Sequence, residues 1–387
     1  MSKFLKYLIS YLVFPFSFLF PRKKERMSFG CAKGRFEGNS KYLFLEYSAK
    51  GLDVCWISPD RNCVRKLREM GLKAEYVFSL KGALRALTSG WWIVASYSSD
   101  ILWCLSGGAR IFNLWHGVGL KRCEFNIESG PLAERYCRKT LKERFYHPEV
   151  FRRPDLFLSA SPFQTAMFAP AFRIGPQQCI EKGYPRNRIL YCSEEERQAF
   201  LGRYEHDILP LIERMRTCKE VYVYMPTWRE DGSSALSGLD YQALESSLAK
   251  SGNLLVIKDH FNNGQEGNRE LDHIVCLDPL QDIYPLLPYA SCLITDYSSV
   301  LYDFILMEGK KVLLYLFDIE KYRGQRDFFY PFEENVAGQK VFTAEELLKA
   351  IEEGVPELTQ EERQRLIHKF WGENAKDYDF SDYLHIQ

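Results

Sequence analysis

No C-x-x-C pair occurs among the eleven cysteines, no G-x-G-x-x-G follows an apolar run, no Walker lysine motif is present, and no segment repeats at a period of about 20–50 residues. These absences exclude paired-cysteine redox and zinc chemistry, argue against a dinucleotide enzyme or a P-loop ATPase, and remove solenoids and propellers. Net charge is missing too. The 387 residues hold 51 Lys+Arg against 51 Asp+Glu, so the surface as a whole is not built to hold nucleic acid and any basic patch is local. Long apolar runs are scarce. The stretch Tyr7 to Phe20 is uncharged but only fourteen residues long, about 21 Å as a helix against a hydrocarbon core of about 30 Å, and Pro15 interrupts it.

What is present is an ordinary globular composition, 46% hydrophobic and 26% charged, with length for two domains at about 150 residues each. The cysteines are odd in number and scattered from Cys31 to Cys292, the pattern of reduced cytosolic thiols acting as small buried hydrophobes. Residues 1–26 carry six Lys/Arg against Glu25, a net of +5. A short apolar stretch with such flanks suits a monotopic anchor on an anionic membrane surface. A secretory signal fits less well, since no small-x-small site follows Phe20, and a helix packed on the body of the protein is the plain alternative.

Beyond Arg26, short apolar runs alternate with amphipathic stretches, the pattern of parallel sheets covered by helices. The first set of strands is expected at Met27–Cys31, Asp53–Ser58, Ala74–Phe78, Trp91–Ser96, Arg110–Trp115 and Asp155–Ala160. A second is expected at Glu220–Met225, Asn253–Lys258, His273–Leu277, Ser291–Thr295 and Lys311–Phe317, with helices at Ser40–Lys50, Asn62–Met70, Tyr241–Lys250, Ser298–Glu308 and Ala344–Glu353. The expected division is an N-terminal segment 1–26, a first domain 27–205 and a second domain 206–387. Residues 121–153 hold nine Lys/Arg against five Asp/Glu, either a solvated helical face or a surface for an anionic lipid or polymer.

Chemistry is expected at the carboxyl ends of strands, where α/β sheets bind ligands. Trp115-His116-Gly117 ends one apolar run. An imidazole there can take a proton from an attacking hydroxyl, and Gly117 lets backbone approach a substrate. Thr295-Asp296-Tyr297-Ser298-Ser299 ends another, and serines opening a helix can cradle a phosphate or simply cap the helix. Asp303 would follow one turn on, where a carboxylate can accept sugar or glycerol hydroxyls. Pro226-Thr227-Trp228-Arg229 and Lys258-Asp259-His260 add a hydroxyl, a stacking ring and cations at two further strand ends, as phosphoryl transfer requires. Gly183-Tyr184-Pro185-Arg186-Asn187 reads as a turn, with Arg186 a phosphate contact or an exposed cation.

In this order W-H-G, G-Y-P-R-N, P-T-W-R, K-x-H and T-D-Y-S-S-x-x-x-D, followed by Phe317-Asp318-Ile319-Glu320-Lys321-Tyr322-Arg323, resemble the CDP-glycerol glycerophosphotransferase family of teichoic acid and capsule polymer synthesis. The resemblance spans roughly residues 27–375, and Ser40-Lys41-Tyr42-Leu43-Phe44 adds to it. It implies a GT-B-like α/β fold, two Rossmann-like doubly wound domains facing a central cleft, in a peripheral enzyme at the cytoplasmic face of the membrane. By the same resemblance His116 is the general base, and His260 and Lys258 meet the donor pyrophosphate. Ser298 and Ser299 hold phosphates, Asp303 binds glycerol or ribose hydroxyls, and Thr227, Trp228, Arg229 and Arg186 complete the donor site. The implied partners are a CDP-glycerol or CDP-ribitol donor, a lipid-linked glycan or polymer acceptor and an anionic membrane surface; no nucleic acid, metal or cofactor is implied. Val118-Gly119 stands where the family often has Thr-Pro, and Phe261 where proline commonly follows K-x-H. The rival readings are a GT-B glycosyltransferase using a nucleotide sugar and an inactive scaffold of a polymer assembly complex.

Overall fold

The computed structural model describes residues 2–130, 132–227, 239–258, 271–320 and 328–385. The chain divides into two units, Met1–Arg188 with Trp371–Gln387, and Ile189–Phe370. The switch therefore falls at 188/189 rather than at 205/206, and the last residues return to the first unit. The physical reason for the return lies in packing. Phe380 meets Phe112 with ring centroids 5.4 Å apart, Trp371 meets Tyr184 at 5.3 Å, and Lys182 pairs with Asp377 at 2.7 Å.

The first unit is built on a seven-stranded sheet, every pairing parallel. Its strands are β1 (Lys23–Gly30), β2 (Val54–Ser58), β3 (Ala74–Tyr76), β4 (Ser89–Val94), β5 (Arg110–Asn113), β6 (Leu156–Leu158) and β7 (Cys179–Ile180), in the order 3-2-1-4-5-6-7. The second unit has β8 (Val221–Met225), β9 (Leu254–Ile257), β10 (Ile274–Cys276), β11 (Cys292–Thr295), β12 (Lys311–Tyr315) and β13 (Gln339–Val341), in the order 10-9-8-11-12-13 and again parallel. Both orders reverse direction beside their first strand. That reversal opens a crevice at the carboxyl edge, the place where doubly wound sheets bind ligands. Central strands such as Val54–Ser58, Ser89–Val94 and Cys292–Thr295 are buried at every residue, which is why they read as unbroken apolar runs. Two strands escape the sequence reading, β7 and β13, with two and three residues.

Two helices differ from expectation. The N-terminal helix Lys3–Phe16 runs through Pro15, which sits in its last turn and there removes an i→i−4 hydrogen bond without ending the helix. The helix expected at Ser298–Glu308 is only Val300–Phe304. Around it the chain turns on i→i−3 bonds, from Tyr302 to Ser299 at 3.1 Å and from Met307 to Phe304 at 3.2 Å, so the flanks tighten out of α geometry.

The N-terminal helix lies along the first unit. Tyr11 and Phe14 meet Trp103 with ring centroids 5.1 and 4.6 Å apart, and Phe4 and Tyr11 stack on Phe145 at 5.4 and 5.5 Å. Phe145 belongs to the basic stretch 121–153, which is thus packed in part, with Arg135 paired to Glu143 at 2.7 Å, while Arg138, Lys139, Lys142 and Arg144 stay exposed. The other side of the helix stays bare. Leu5, Leu8, Leu12 and Phe16 are 43%, 41%, 62% and 63% exposed, and their spacing of three and four residues makes one apolar ridge.

Candidate functional site

Strand β5 ends at Asn113, and the chain leaves it through a bend that no ordinary side chain favours. Trp115 is left-handed (φ +51°) and Gly117 follows at φ +143°, a conformation that costs about 1–2 kcal/mol for a residue with a Cβ. Side chains hold it in place. Asn113 Oδ1 accepts the Trp115 N–H at 2.8 Å. Three successive carbonyls are then gripped from outside: Asn39 Nδ2 donates to Trp115 at 2.9 Å, Arg186 Nη1 to His116 at 2.8 Å, and the Tyr184 hydroxyl to Gly117 at 3.0 Å. All three grips come from buried side chains, where losing a hydrogen-bond partner costs about 1–3 kcal/mol.

This clamp presents the imidazole. His116 is exposed and lies against the Trp115 ring with centroids 4.0 Å apart. Its pKa is lowered, by desolvation from the surrounding protein first and by the Arg186 guanidinium second, while the Ala95 carbonyl opposes the shift. The open face of the ring tempers the desolvation, but the ordinary value of 6.5 is already below 7 and the net shift is downward. His116 is therefore neutral at pH 7, with a lone pair to accept a proton. Ala95 is itself fixed. Asp100 accepts the amides of Ala95 and Ser96 at 2.9 and 2.7 Å just beyond β4.

Arg186 was expected at the donor phosphates. It is instead buried, on the single turn Pro185–Asn187, with one of its nitrogens committed to the His116 carbonyl. Spacing could not reveal this, because it does not say where a guanidinium points. Tyr184 and Asn39 were missed for the same reason. Gly183 is required by close approach: a Cβ there would meet the Ala375 carbonyl and lie 2.5 Å from Tyr378 Cε1.

Gly119, one of the departures from the family pattern, has a local cause. Its N–H donates to Gln164 Oε1 at 2.6 Å, its carbonyl accepts from Gln164 Nε2 at 3.2 Å, and a Cβ would run into Met167. Proline at this position would remove the donor and overpack the methionine. Gly119→Pro is expected to destabilise the first unit by about 1–3 kcal/mol, read as a lower urea midpoint; an unchanged midpoint would show that Gln164 and Met167 do not constrain the loop.

In the second unit the carboxyl ends of β8 and β11 adjoin at the strand-order reversal. Asp296 ties them. It accepts the Thr227 N–H at 2.9 Å and the Thr227 hydroxyl at 2.6 Å, while Thr295 Oγ1 donates to the Met225 carbonyl at 2.7 Å. Thr227, Ser298 and Ser299 thus lie on one rim. The Ser298 hydroxyl accepts the Val300 N–H at 3.4 Å, whereas Ser299 makes no side-chain cap. With a helix of five residues, what this rim offers an anion is local amides and hydroxyls rather than a long helix dipole.

Two expected contacts are otherwise engaged. Lys258 Nζ donates to the carbonyls of Asp278, Pro279 and Gln281 at 2.8, 2.8 and 2.6 Å, which uses the three donors of an ammonium and pins the loop after β10. Asp303 is fully buried and accepts the Tyr284 hydroxyl at 2.5 Å. Trp228, Arg229 and His260 lie outside the described residues. Among the described residues no cluster of His, Cys, Asp or Glu could hold a metal. The D-x-D triplet Asp377-Tyr378-Asp379 serves structure, Asp377 pairing with Lys182 and the Asp379 carbonyl accepting from the same lysine at 2.5 Å.

The chain is similar to known proteins in sequence and in fold. The teichoic acid poly(glycerol phosphate) polymerase of Bacillus spizizenii is 27% identical over 369 residues, 88% of this chain and 86% of that one. The teichoic acid glycerol-phosphate transferase of Staphylococcus aureus is 26% identical over 287 residues, 71% of this chain and 70% of its own. In fold, the chain is similar to the wall teichoic acid polymerase TagF, solved as a histidine variant soaked with CDPG, at a TM-score of 0.74 and 20% identity over 99% of this chain and 96% of that one. The profile of the CDP-glycerol:poly(glycerophosphate) glycerophosphotransferases covers residues 12–374, and the chain belongs to that family.

Proposed function

We propose that the chain transfers glycerol phosphate, or a related polyol phosphate such as ribitol phosphate, from its CDP-activated form to a hydroxyl of a membrane-linked glycan or polymer, releasing CMP. The observation that carries this reading is a neutral, exposed imidazole on a loop whose three carbonyls are clamped. His116 accepts the acceptor's hydroxyl proton as that oxygen bonds to the polyol-bearing phosphorus. The bond from this phosphorus to the bridging oxygen breaks, and the oxygen leaves on CMP. Thr227, Ser298 and Ser299, with Trp228, Arg229 and His260, take the donor. Lys258 and Asp303 support that set through the carbonyls and the hydroxyl they hold. Cations and amides are then the groups that stabilise the charge on the leaving CMP.

We also infer that the bare apolar ridge of Lys3–Phe16 seats the enzyme on the cytoplasmic face of the membrane, near its lipid-linked acceptor. No helix among the described residues is long and apolar enough to cross a membrane, and a ridge beside Lys3 and Lys6 suits a helix lying in the interface.

The test is CMP release from CDP-glycerol and CDP-ribitol, with and without lipid-linked disaccharide or membrane extract, alongside UDP- and GDP-sugars. Acceptor-dependent CMP release from a CDP-polyol is the expected result. Silence with both CDP-polyols together with turnover of a nucleotide sugar would replace this reading with the glycosyltransferase one.

A further inference from the structure

A groove of roughly 570 Å³ opens on the first unit, lined by Arg26, Arg68, Lys73, Lys81, Leu84 and Arg85 among others. It sits at the amino-terminal ends of β1, β2 and β3, the edge of the sheet opposite to the one that carries His116. It therefore belongs to no part of the transfer site. Five cations line it, and the neighbouring carboxylates are Glu75 and Asp53, leaving an excess of three positive charges.

The two kinds of cation have different tasks. Arg85 and Arg26 share Asp53, at 2.5 and 3.0 Å, and Arg68 pairs with Glu75 at 2.6 Å. These arginines make a fixed wall. Lys73 and Lys81 are exposed, and their ammonium groups make no ion pair or hydrogen bond among the described residues. Two such cations facing a groove are suited to a phosphate monoanion, which each can approach from a different side.

Apolar exposure beside the groove identifies the source of that phosphate. Lys81 and Arg85 lie one turn apart on the helix Leu80–Thr88, and Leu80 and Leu84 lie one turn apart on its adjoining edge, 78% and 43% exposed. A soluble polyanion would leave those leucines in water, whereas a lipid covers them while its headgroup meets the lysines. Arg22, just past the N-terminal helix, donates to the Ala86 carbonyl of this same helix at 2.6 Å and to that of Ser89 at 3.2 Å. The end of the N-terminal helix and the groove thus share one edge of one sheet.

We propose that this groove is a binding site for the phosphate of an anionic phospholipid headgroup, giving the enzyme lipid selectivity that the N-terminal helix alone does not supply. The proposal rests on the membrane reading above. Its test is sedimentation of the full-length protein with vesicles of phosphatidylcholine alone or with added phosphatidylglycerol. The variants are Lys73→Glu/Lys81→Glu, its milder form Lys73→Gln/Lys81→Gln, and Leu8→Glu/Leu12→Glu.

The groove variants are expected to lose about tenfold or more of their partition onto phosphatidylglycerol vesicles while binding phosphatidylcholine as the native chain does. The helix variant is expected to lose binding to both vesicles. Native-like phosphatidylglycerol binding by Lys73→Glu/Lys81→Glu would overturn the groove proposal, and native-like binding by Leu8→Glu/Leu12→Glu would instead overturn the membrane role of the helix. Soluble poly(glycerol phosphate) is the competing arm: if it binds the native chain and not the groove variants, and phosphatidylglycerol binding is unchanged, the groove takes polymer and the lipid assignment fails. A circular-dichroism melt shows whether each variant is folded.

Discussion

Replacing His116 by alanine or glutamine should lower acceptor-dependent CMP release by about 10²- to 10⁴-fold, the range of a lost general base, with little change in stability. The second half of that statement follows from the clamp. Asn39, Arg186 and Tyr184 hold backbone carbonyls, so the loop keeps its course whatever side chain stands at 116. The ring itself is exposed and its removal opens no cavity. Affinity for CDP-glycerol, measured by calorimetry, should stay within a few-fold of native. A variant that turns over at nearly the native rate would remove His116 from the proton-transfer step.

Arg186 offers the second large effect and a sharper distinction. As a donor-phosphate contact, its loss would raise KM for the CDP-polyol. As a positioning residue for His116, its loss should lower kcat by about 10- to 100-fold and leave that KM nearly alone. The pH profile adds a readout that a merely structural role would not move. The guanidinium disfavours the imidazolium, so Arg186→Gln lets the pKa of His116 rise. The acidic limb of kcat should then move to higher pH, because a base with a raised pKa is protonated over more of the acid range. Arg186→Lys keeps the charge without the planar fork, and should preserve the limb while still losing rate. A rise in KM with kcat and the acidic limb unchanged would return Arg186 to the donor site.

Much of this architecture is legible in the sequence, because parallel strands buried on both faces must be apolar at nearly every position. Runs such as Ser89–Val94 and Cys292–Thr295 cannot hide. Cys179–Ile180 and Gln339–Val341 can, being two- and three-residue edge strands whose pairing is decided by neighbours. The place of His116 was legible for a similar reason: an apolar run that stops at Trp115-His116-Gly117 marks the end of a strand. The partners of the site residues were not. Whether Lys258 reaches a ligand or the carbonyls of a loop depends on the course of residues 278–281, and whether Asp303 faces solvent depends on how the turn from Ser298 onward tightens. Neither is local information.

The return of residues 371–387 to the first unit carries a consequence for synthesis. On the ribosome the chain emerges from its beginning, and everything through Phe370 is made before Trp371 can pack edge to face with Tyr184 or Asp377 can accept from the Gly183 amide and pair with Lys182. Tyr184 in turn grips the Gly117 carbonyl. The second unit is thus an insertion within the first, and the support for the bend at His116 is finished after it. A nascent chain interrupted before Trp371 would hold the sheet of the second unit complete while Tyr184 still lacked its partners, so translation orders the two units: the inserted one is finished first, and the one that carries His116 only once residues 371–384 have emerged.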